Sequence, residues 1–351
     1  MRILAIESSC DDTSVALTDA GERGFVVIKM KTISQIDVHR QYGGVVPEVA
    51  GRIHAESIIP LIEDILMDYE KPDYIAVTYT PGLLTGLLVG VEAAKMLSWL
   101  MDIPLIGINH IEGHIYSTLL PASDGDTRSI TFPALALIVS GGHTEIIHMV
   151  DHGRYELIGK TRDDAAGECF DKVGKLIGEG YPGGPRISNL AENGDRRAIS
   201  FPRPMVDASN YDFSFAGLKT AALYWLKDNA EVSAGGGVYQ LDASTLQDFC
   251  ASIEEAIVDT LIQKTARAVR EYQPRTLLLA GGVAANRELR SRLQAIAPEN
   301  NVVFLAPPPA YTTDNAAMIA RAAHQKALHG DTVDWKNLTA SPTGTIYPHE
   351  A

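Results

Sequence analysis

The segment Asn109-His110-Ile111-Glu112-Gly113-His114 carries two histidines four residues apart. On a helix that spacing stacks them on one face, so both imidazoles can reach one cation. Zinc peptidases use the same spacing, but their general-base glutamate directly follows the first histidine. Here Ile111 holds that place and Glu112 points elsewhere, so peptide hydrolysis lacks its base. Surface or capping histidines account for such a pair equally well. A third ligand is on offer in Thr312-Thr313-Asp314-Asn315, ahead of the last helix, where the plain expectation is that Asp314 is the N-cap. If Asp314 joins the histidines instead, two imidazoles and one carboxylate leave coordination positions open for substrate, a pattern of non-haem iron sites that zinc also accepts.

Two turns could hold a nucleotide. Glu7-Ser8-Ser9-Cys10-Asp11-Asp12-Thr13 follows the first strand of the chain, and Ser140-Gly141-Gly142-His143-Thr144 follows the corresponding strand of the second half. Glycine lets backbone N–H groups approach phosphate oxygens, and the hydroxyls of Ser8, Ser9 and Ser140 add donors. Asp11 and Asp12 repel bare phosphate but suit a divalent ion or its waters. Leu279-Ala280-Gly281-Gly282-Val283-Ala284-Ala285-Asn286 runs from a strand through Gly-Gly into a helix expected from Ala284, an arrangement that presents amides to an anion. Tyr181-Pro182-Gly183-Gly184-Pro185 is a further glycine turn before a helix. Each of these turns is also explained by ordinary turn geometry, and their joint placement at strand and helix ends favours phosphate.

The elements that position these residues repeat in order. Strands are expected at 3–6, 14–18 and 25–30, a helix from Pro47, a strand at 74–78, a helix at 83–100 and a strand at 105–108. The second half offers strands at 134–139, 144–149 and 155–158, helical segments from Asp163, a long helix at about 243–271, strands at 276–279 and 302–305, and a last helix at about 313–328. Residues 228–241, with Ala-Gly-Gly-Gly at 234–237, read as a flexible loop. This βββαβαβ order, met twice, describes two α/β lobes of the ribonuclease-H kind with a ligand in the cleft between them. Lobe I spans 1–126, with the segment 313–351 packing back on it, and lobe II spans 127–312.

Composition narrows the setting. The 351 residues exceed the roughly 150 of one domain. Cys10, Cys169 and Cys250 are too scattered for a disulfide framework or a CxxC site, which fits a reducing cytoplasm. Glu7 comes too early for a signal peptide. The most apolar stretch, 83–101, contains Glu92 and Lys95 and reads as a buried helix rather than a membrane span. With 30 Lys and Arg against 44 Asp and Glu, the net charge of −14 disfavours autonomous nucleic-acid binding. Arg196, Arg197 and Arg203, near Phe201, are the densest basic cluster outside the helices and a candidate RNA strip, with a solvated loop the blander alternative.

Taken in order, several motifs resemble the TsaD (Gcp/YgjD) family of bacterial tRNA threonylcarbamoyltransferases, once called O-sialoglycoprotein endopeptidases. They are the Glu7–Thr13 turn, His39 with Gly43-Gly44-Val45-Val46-Pro47-Glu48, the His110–His114 segment and Ser140–Thr144. The series continues with Asp163–Glu168 and Phe170-Asp171-Lys172, then Asp212–Lys219, Ala280–Asn286 and Thr313-Asp314-Asn315. The resemblance implies the two-lobe actin, Hsp70 and sugar-kinase-like (ASKHA) fold. It implies transfer of threonylcarbamoyl from threonylcarbamoyl-AMP to N6 of adenosine 37 in tRNAs that read codons beginning with A. It further implies that His110, His114 and Asp314 hold one divalent metal, Fe2+ before Zn2+. The donor would be bound by Ile138, Val139, Ser140, Gly141, Gly142, Asp171, Gly184 and Asn286, in a cleft that also accepts ATP or ADP. TsaB and TsaE are the implied protein partners, with assembly as a homodimer or as a TsaB heterodimer, and no membrane is involved. A sugar-type kinase of the same superfamily is the alternative, but it gives no role to His110, His114 and Asp314.

If tRNA is the substrate, the acidic charge makes the isolated chain a weak tRNA binder. Fluorescence anisotropy with labelled tRNA should show binding that fades between roughly 50 and 200 mM salt. Tight, salt-resistant binding would contradict this.

Overall fold

The computed structural model describes residues 1–21, 24–123, 126–233 and 236–347. The chain forms two compact units, one of Met1–Ile130, His152–Arg154 and Leu305–Ala351, the other of Thr131–Asp151 and Tyr155–Phe304.

The first unit begins with β1 (Arg2–Glu7), β2 (Asp12–Gly21) and β3 (Gly24–Ser34). There follow α1 (Ile36–Arg40), α2 (Pro47–Leu66), β4 (Tyr74–Thr80), α3 (Leu84–Met101), β5 (Leu105–Asn109) and α4 (His110–Ser117). Its sheet has the order β3-β2-β1-β4-β5, with β1 antiparallel to β2 and parallel to β4. β1 is therefore central, which is why Ile3, Leu4, Ala5 and Ile6 form an unbroken buried apolar run. Leu4 and Ile6 pack with Ile58, Ile62 and Ile65 of α2 and Val91 of α3.

The second unit contains β6 (Ala134–Val139), β7 (Thr144–Asp151), β8 (Arg154–Lys160), α5 (Ala166–Leu176), α6 (Gly183–Ala191) and α7 (Ala216–Asn229). It continues with β9 (Glu231–Val232), β10 (Tyr239–Gln240), α8 (Ala243–Tyr272), β11 (Thr276–Ala280), α9 (Arg287–Glu299) and β12 (Val303–Leu305). Its main sheet runs β12-β11-β6-β7-β8, the first sheet's order met from the other end, with β6 central. The last helix, α10 (Ala316–Leu328), belongs to the first unit and packs on α4, β1 and β2.

Several expectations are corrected. The helix expected from Ala284 starts at Arg287, because Gly282–Ala285 forms a 3-10 turn and Asn286 caps the helix, accepting from Leu289 N–H. The loop expected at 228–241 is partly ordered: Asp228 and Asn229 belong to α7, and β9 pairs with β10. Of the Gly-rich insertion, Ala234 and Gly235 lie outside the described residues. α3 is long and apolar enough to cross a membrane, yet it is not the buried helix expected. Gly86, Leu87, Gly90, Val91 and Ala94 face the core, but Leu88, Met96, Trp99 (63% exposed) and Leu100 (69% exposed) face outward.

The closest helix contact bears on the histidine segment. A Cβ placed on Gly113 would lie 2.7 Å from Ile319 Cδ1 of α10 and 3.4 Å from Met318 Cγ. Gly113 therefore sets how near α10 comes to α4. Gly113→Ala can be absorbed by rotation of the Ile319 tip, whereas Gly113→Val adds branched bulk and should cost about 1–3 kcal/mol in urea unfolding. Equal midpoints for all three proteins would contradict this packing.

Candidate metal centre

β5 ends at Asn109, whose side chain accepts from Ile111 N–H and so starts α4 at His110. With the helix started there, His110 and His114 share a face, their ring centroids 4.6 Å apart. The carboxylate comes from a residue two hundred positions later. Asn315, not Asp314, is the N-cap of α10, accepting from Met318 N–H at 3.0 Å, so the capping role expected for Asp314 is corrected by one residue. The Ala316 N–H is tied to Ser14 Oγ of β2, which fixes the helix start against the sheet. Asp314 is thereby released toward the histidines. Its Oδ1 lies 3.4 Å from His110 Nε2 and 3.2 Å from His114 Nε2.

These atoms fit a cation. Donors about 2.1 Å from one metal and separated by 90–110° lie roughly 3.0–3.4 Å apart, and both spacings fall within that span. His114 is 1% exposed, and apart from the Asp314 contact neither ring nitrogen has a hydrogen-bond partner among the described residues, a cost that coordination removes. Asp314 keeps 21% of its side chain exposed, so the group is accessible from one side.

Behind His110 sits a residue that motif spacing did not reveal. Glu7, at the end of β1, is wholly buried, and its Oε2 lies 3.2 Å from His110 Nδ1. Burial opposes charge on His110, but the carboxylates of Asp314 and then Glu7 overcome it and hold the imidazole well above its usual range. Burial likewise raises Asp314, and His110 then His114 more than reverse this, holding it well below the usual carboxylate range. Asp12 is pushed up to about 7 by burial against the bond from Ser34, with Asp314, Asp11 and Glu7 adding to the rise. This acidic surrounding is compatible with a cation.

In the first turn, expected as a candidate phosphate hairpin, the polar groups bond within the first unit. Ser8 Oγ donates to Gly86 O, Ser9 N–H donates to Glu7 Oε1, and Ser9 Oγ lies 3.0 Å from His110 Nδ1. Ser8 and Ser9 are turned inward, and Asp11 is buried with them. Of the arginine cluster, Arg196 pairs with Glu288, and Arg203 pairs with Asp259 at 3.0 Å.

In the second unit the turn after β6 is more open. Ser140 N–H donates to His143 O, and His143 N–H donates to Ser140 Oγ, closing the turn. A Cβ at Gly141 or Gly142 would meet nothing within 4 Å. Ile138 and Val139 are fully buried within the central strand, and exposure begins at Ser140. Asp171 accepts from Gly183 N–H at 2.7 Å at the start of α6. Gly183 is crowded by Phe170 O, while Gly184 has ordinary space. Asn286 Nδ2 donates to Glu254 Oε1 at 2.7 Å and to Ser188 Oγ at 2.9 Å, so both amide hydrogens are engaged. Ser188 and Glu254 carried no signal in the sequence beyond their types.

A family model described as TsaD, tRNA N6-adenosine threonylcarbamoyltransferase, matches residues 26–321. Proteins bearing that enzyme name are similar along most of their length. The one from Magnetococcus marinus is 46% identical over 339 residues, covering 94% of this chain and 93% of the relative. The one from Bacillus subtilis is 45% identical over 338 residues, covering 94% and 92%. The chain belongs to the TsaD family of tRNA N6-adenosine threonylcarbamoyltransferases. A crystal structure of HypF from T. kodakarensis shares the fold at 13% identity and a TM-score of 0.60, covering 96% of this chain and 49% of that one. The two histidines and the whole Ser140–Thr144 turn fall inside the span matched to TsaD, as does Asp314, whereas Glu7 precedes it.

Because the Asp314 and Glu7 carboxylates hold the His110 imidazole well above its usual range, a metal competes with a proton for it. Calorimetric titration of metal-free protein with Zn2+ at pH 7, in two buffers of different ionisation enthalpy, should report about one proton released. Affinity should rise with pH, by up to tenfold per unit, while His110 stays protonated. Zero proton release would contradict the charge assignment.

Proposed function

We propose that the protein transfers a threonylcarbamoyl group to N6 of adenosine in tRNA, forming N6-threonylcarbamoyladenosine at position 37 of tRNAs that read codons beginning with A. The observation that carries this reading is the meeting of His110, His114 and Asp314 in a chain of the TsaD family. A sugar-type kinase of the same fold would have no use for that group.

The donor, threonylcarbamoyl-AMP, is a mixed anhydride, so its carbonyl is electrophilic and AMP leaves readily. The difficulty lies in the acceptor, since the adenine amino lone pair is delocalised into the ring. A bound divalent ion, Fe2+ in preference to Zn2+, supplies Lewis-acid stabilisation of developing negative charge, worth several kcal/mol. His110, His114 and Asp314 would hold it, and the partial exposure of Asp314 supports access to the group from solvent.

In the second unit, Gly141 and Gly142 are assigned to the AMP phosphate through their amides. Supporting this, neither is required by crowding, and the same is true of Gly184, whereas their neighbours Gly167 and Gly183 are. A side chain at 141, 142 or 184 would intrude on a ligand and not on the fold. Asn286 contributes by holding Ser188 and Glu254 in place, and Asp171 by fixing the start of α6. The repeated strand order supports a duplicated ASKHA architecture. Adenine 37 lies in an anticodon loop, where unstacked bases enter a pocket without duplex melting.

The net charge of −14 implies help with tRNA. The outward apolar face of α3, with Leu88, Met96, Trp99 and Leu100, suits a partner subunit such as TsaB, and TsaE is assigned to the same cycle. The setting is the cytoplasm, where tRNA is found.

The test is mass spectrometry of adenosine from tRNA incubated with threonine, bicarbonate, ATP and the partner enzymes. A mass gain that depends on this chain is expected, and His110→Ala should lower its rate by at least about 100-fold, near 3 kcal/mol. Full activity in metal-depleted His110→Ala would sink the metal's role. Phosphorylated sugar in place of modified adenosine would favour the kinase.

A further inference from the structure

The Glu7 carboxylate has no contact with solvent, so every stabilising interaction it makes comes from the protein. Ser9 N–H donates to Oε1 at 2.6 Å, and the Thr78 hydroxyl donates to Oε2 at 2.5 Å. The third group at the carboxylate is His110 Nδ1, 3.2 Å from Oε2. An ionised carboxylate only accepts hydrogen bonds, so this contact requires a proton on Nδ1. With the proton there, Nε2 of a neutral imidazole carries its lone pair, and Nε2 is the atom that faces Asp314 and His114.

We propose that Glu7 is a positioning residue of the metal centre, holding His110 in the Nδ1–H tautomer and ring orientation that present Nε2 to the cation. The inference rests on the metal reading above. Glu7 touches neither substrate nor cation and acts through His110 alone, in the way a carboxylate behind a ligating imidazole fixes its tautomer and raises its basicity. Ser9 Oγ, 3.0 Å from the same Nδ1, is compatible as a second acceptor. If the hydroxyl donated instead, Nε2 would carry the proton and be lost to the metal. The carboxylate therefore decides the direction of the whole network. β1 has a structural reason to place it: residue 7 is the last of the central strand, beside Thr78 of β4, and at the height where α4 begins.

The test compares Zn2+ affinity, by competition with a chelator, for the wild-type chain, Glu7→Gln and Thr78→Val, with thermal unfolding of each as the check on folding. Glutamine keeps the shape of glutamate but must turn an NH2 group toward one of the donors, which drives His110 to the other tautomer. Glu7→Gln should bind Zn2+ about 10–100-fold more weakly. Thr78→Val removes a donor to the same oxygen without touching His110 and should change affinity less than threefold. Zn2+ affinity in Glu7→Gln equal to wild type overturns the proposal, as does an equal loss in Thr78→Val, which would mark a general packing effect. If the wild-type chain takes up no Zn2+, the metal reading itself fails, a distinct result. Should Glu7→Gln not fold, imidazole nitrogen NMR of the Zn2+-loaded wild-type chain decides. A downfield, exchange-protected Nδ1 proton on His110 is expected, and ligation through Nδ1 would overturn the assignment.

Discussion

The first unit is organised around a row of charge buried in a low dielectric, Glu7, His110 and Asp314, with the imidazole of His114 at its end. An isolated carboxylate placed as Glu7 is placed would carry a penalty of several kcal/mol, and so would a lone imidazolium at His110. Alternation of sign from Glu7 through His110 to Asp314 makes each of these three tolerable, and removing one leaves its neighbours uncompensated. The row exists only because α4 and α10 approach closely, which Gly113 permits, and because each helix starts at a fixed residue. Asn109 sets the start of α4, and Asn315 with Ser14 sets the start of α10. Strand β1 does two jobs at once, filling the core with Ile3 to Ile6 and ending in the carboxylate that anchors the row.

How far this was legible in the sequence depended on the range of the interactions involved. The four-residue spacing of His110 and His114 is a local property of a helix, so their shared face could be foreseen. Asp314 was harder, because it stands next to Asn315, and either side chain can cap a helix. Local propensity favours both, and only the tether from Ala316 N–H to Ser14, three hundred residues away in the chain, selects Asn315 and frees Asp314. Glu7 showed nothing of its role, since a glutamate at a strand end is unremarkable until the strand's neighbours are known. The repeated strand order was visible because alternating apolar runs are local. The outward face of α3 was not, because its apolar side chains read as core, and which side the sheet covers is decided by tertiary packing.

The glycines of the second unit divide in an instructive way. Gly167, Gly183 and Gly281 are demanded by backbone that lies within 3 Å of where a Cβ would stand, and Gly281 also has a positive φ. Gly141, Gly142 and Gly184 have no such demand upon them. In the sequence these two kinds are indistinguishable, since both occur in turns and at helix starts. The distinction separates residues that build the unit from those whose small size serves whatever comes to it.

The placement of α10 in the first unit has a consequence for how the protein comes into being. On the ribosome, both histidines emerge early, and the whole second unit is made before Asp314 appears. Until then Glu7 and His110 can pair but have no third member to balance them, so the nascent chain carries two donors that would hold a metal loosely and in the wrong geometry. Completion of the His110, His114 and Asp314 group is therefore a late event in biosynthesis, reached only by a chain that has already finished its second unit.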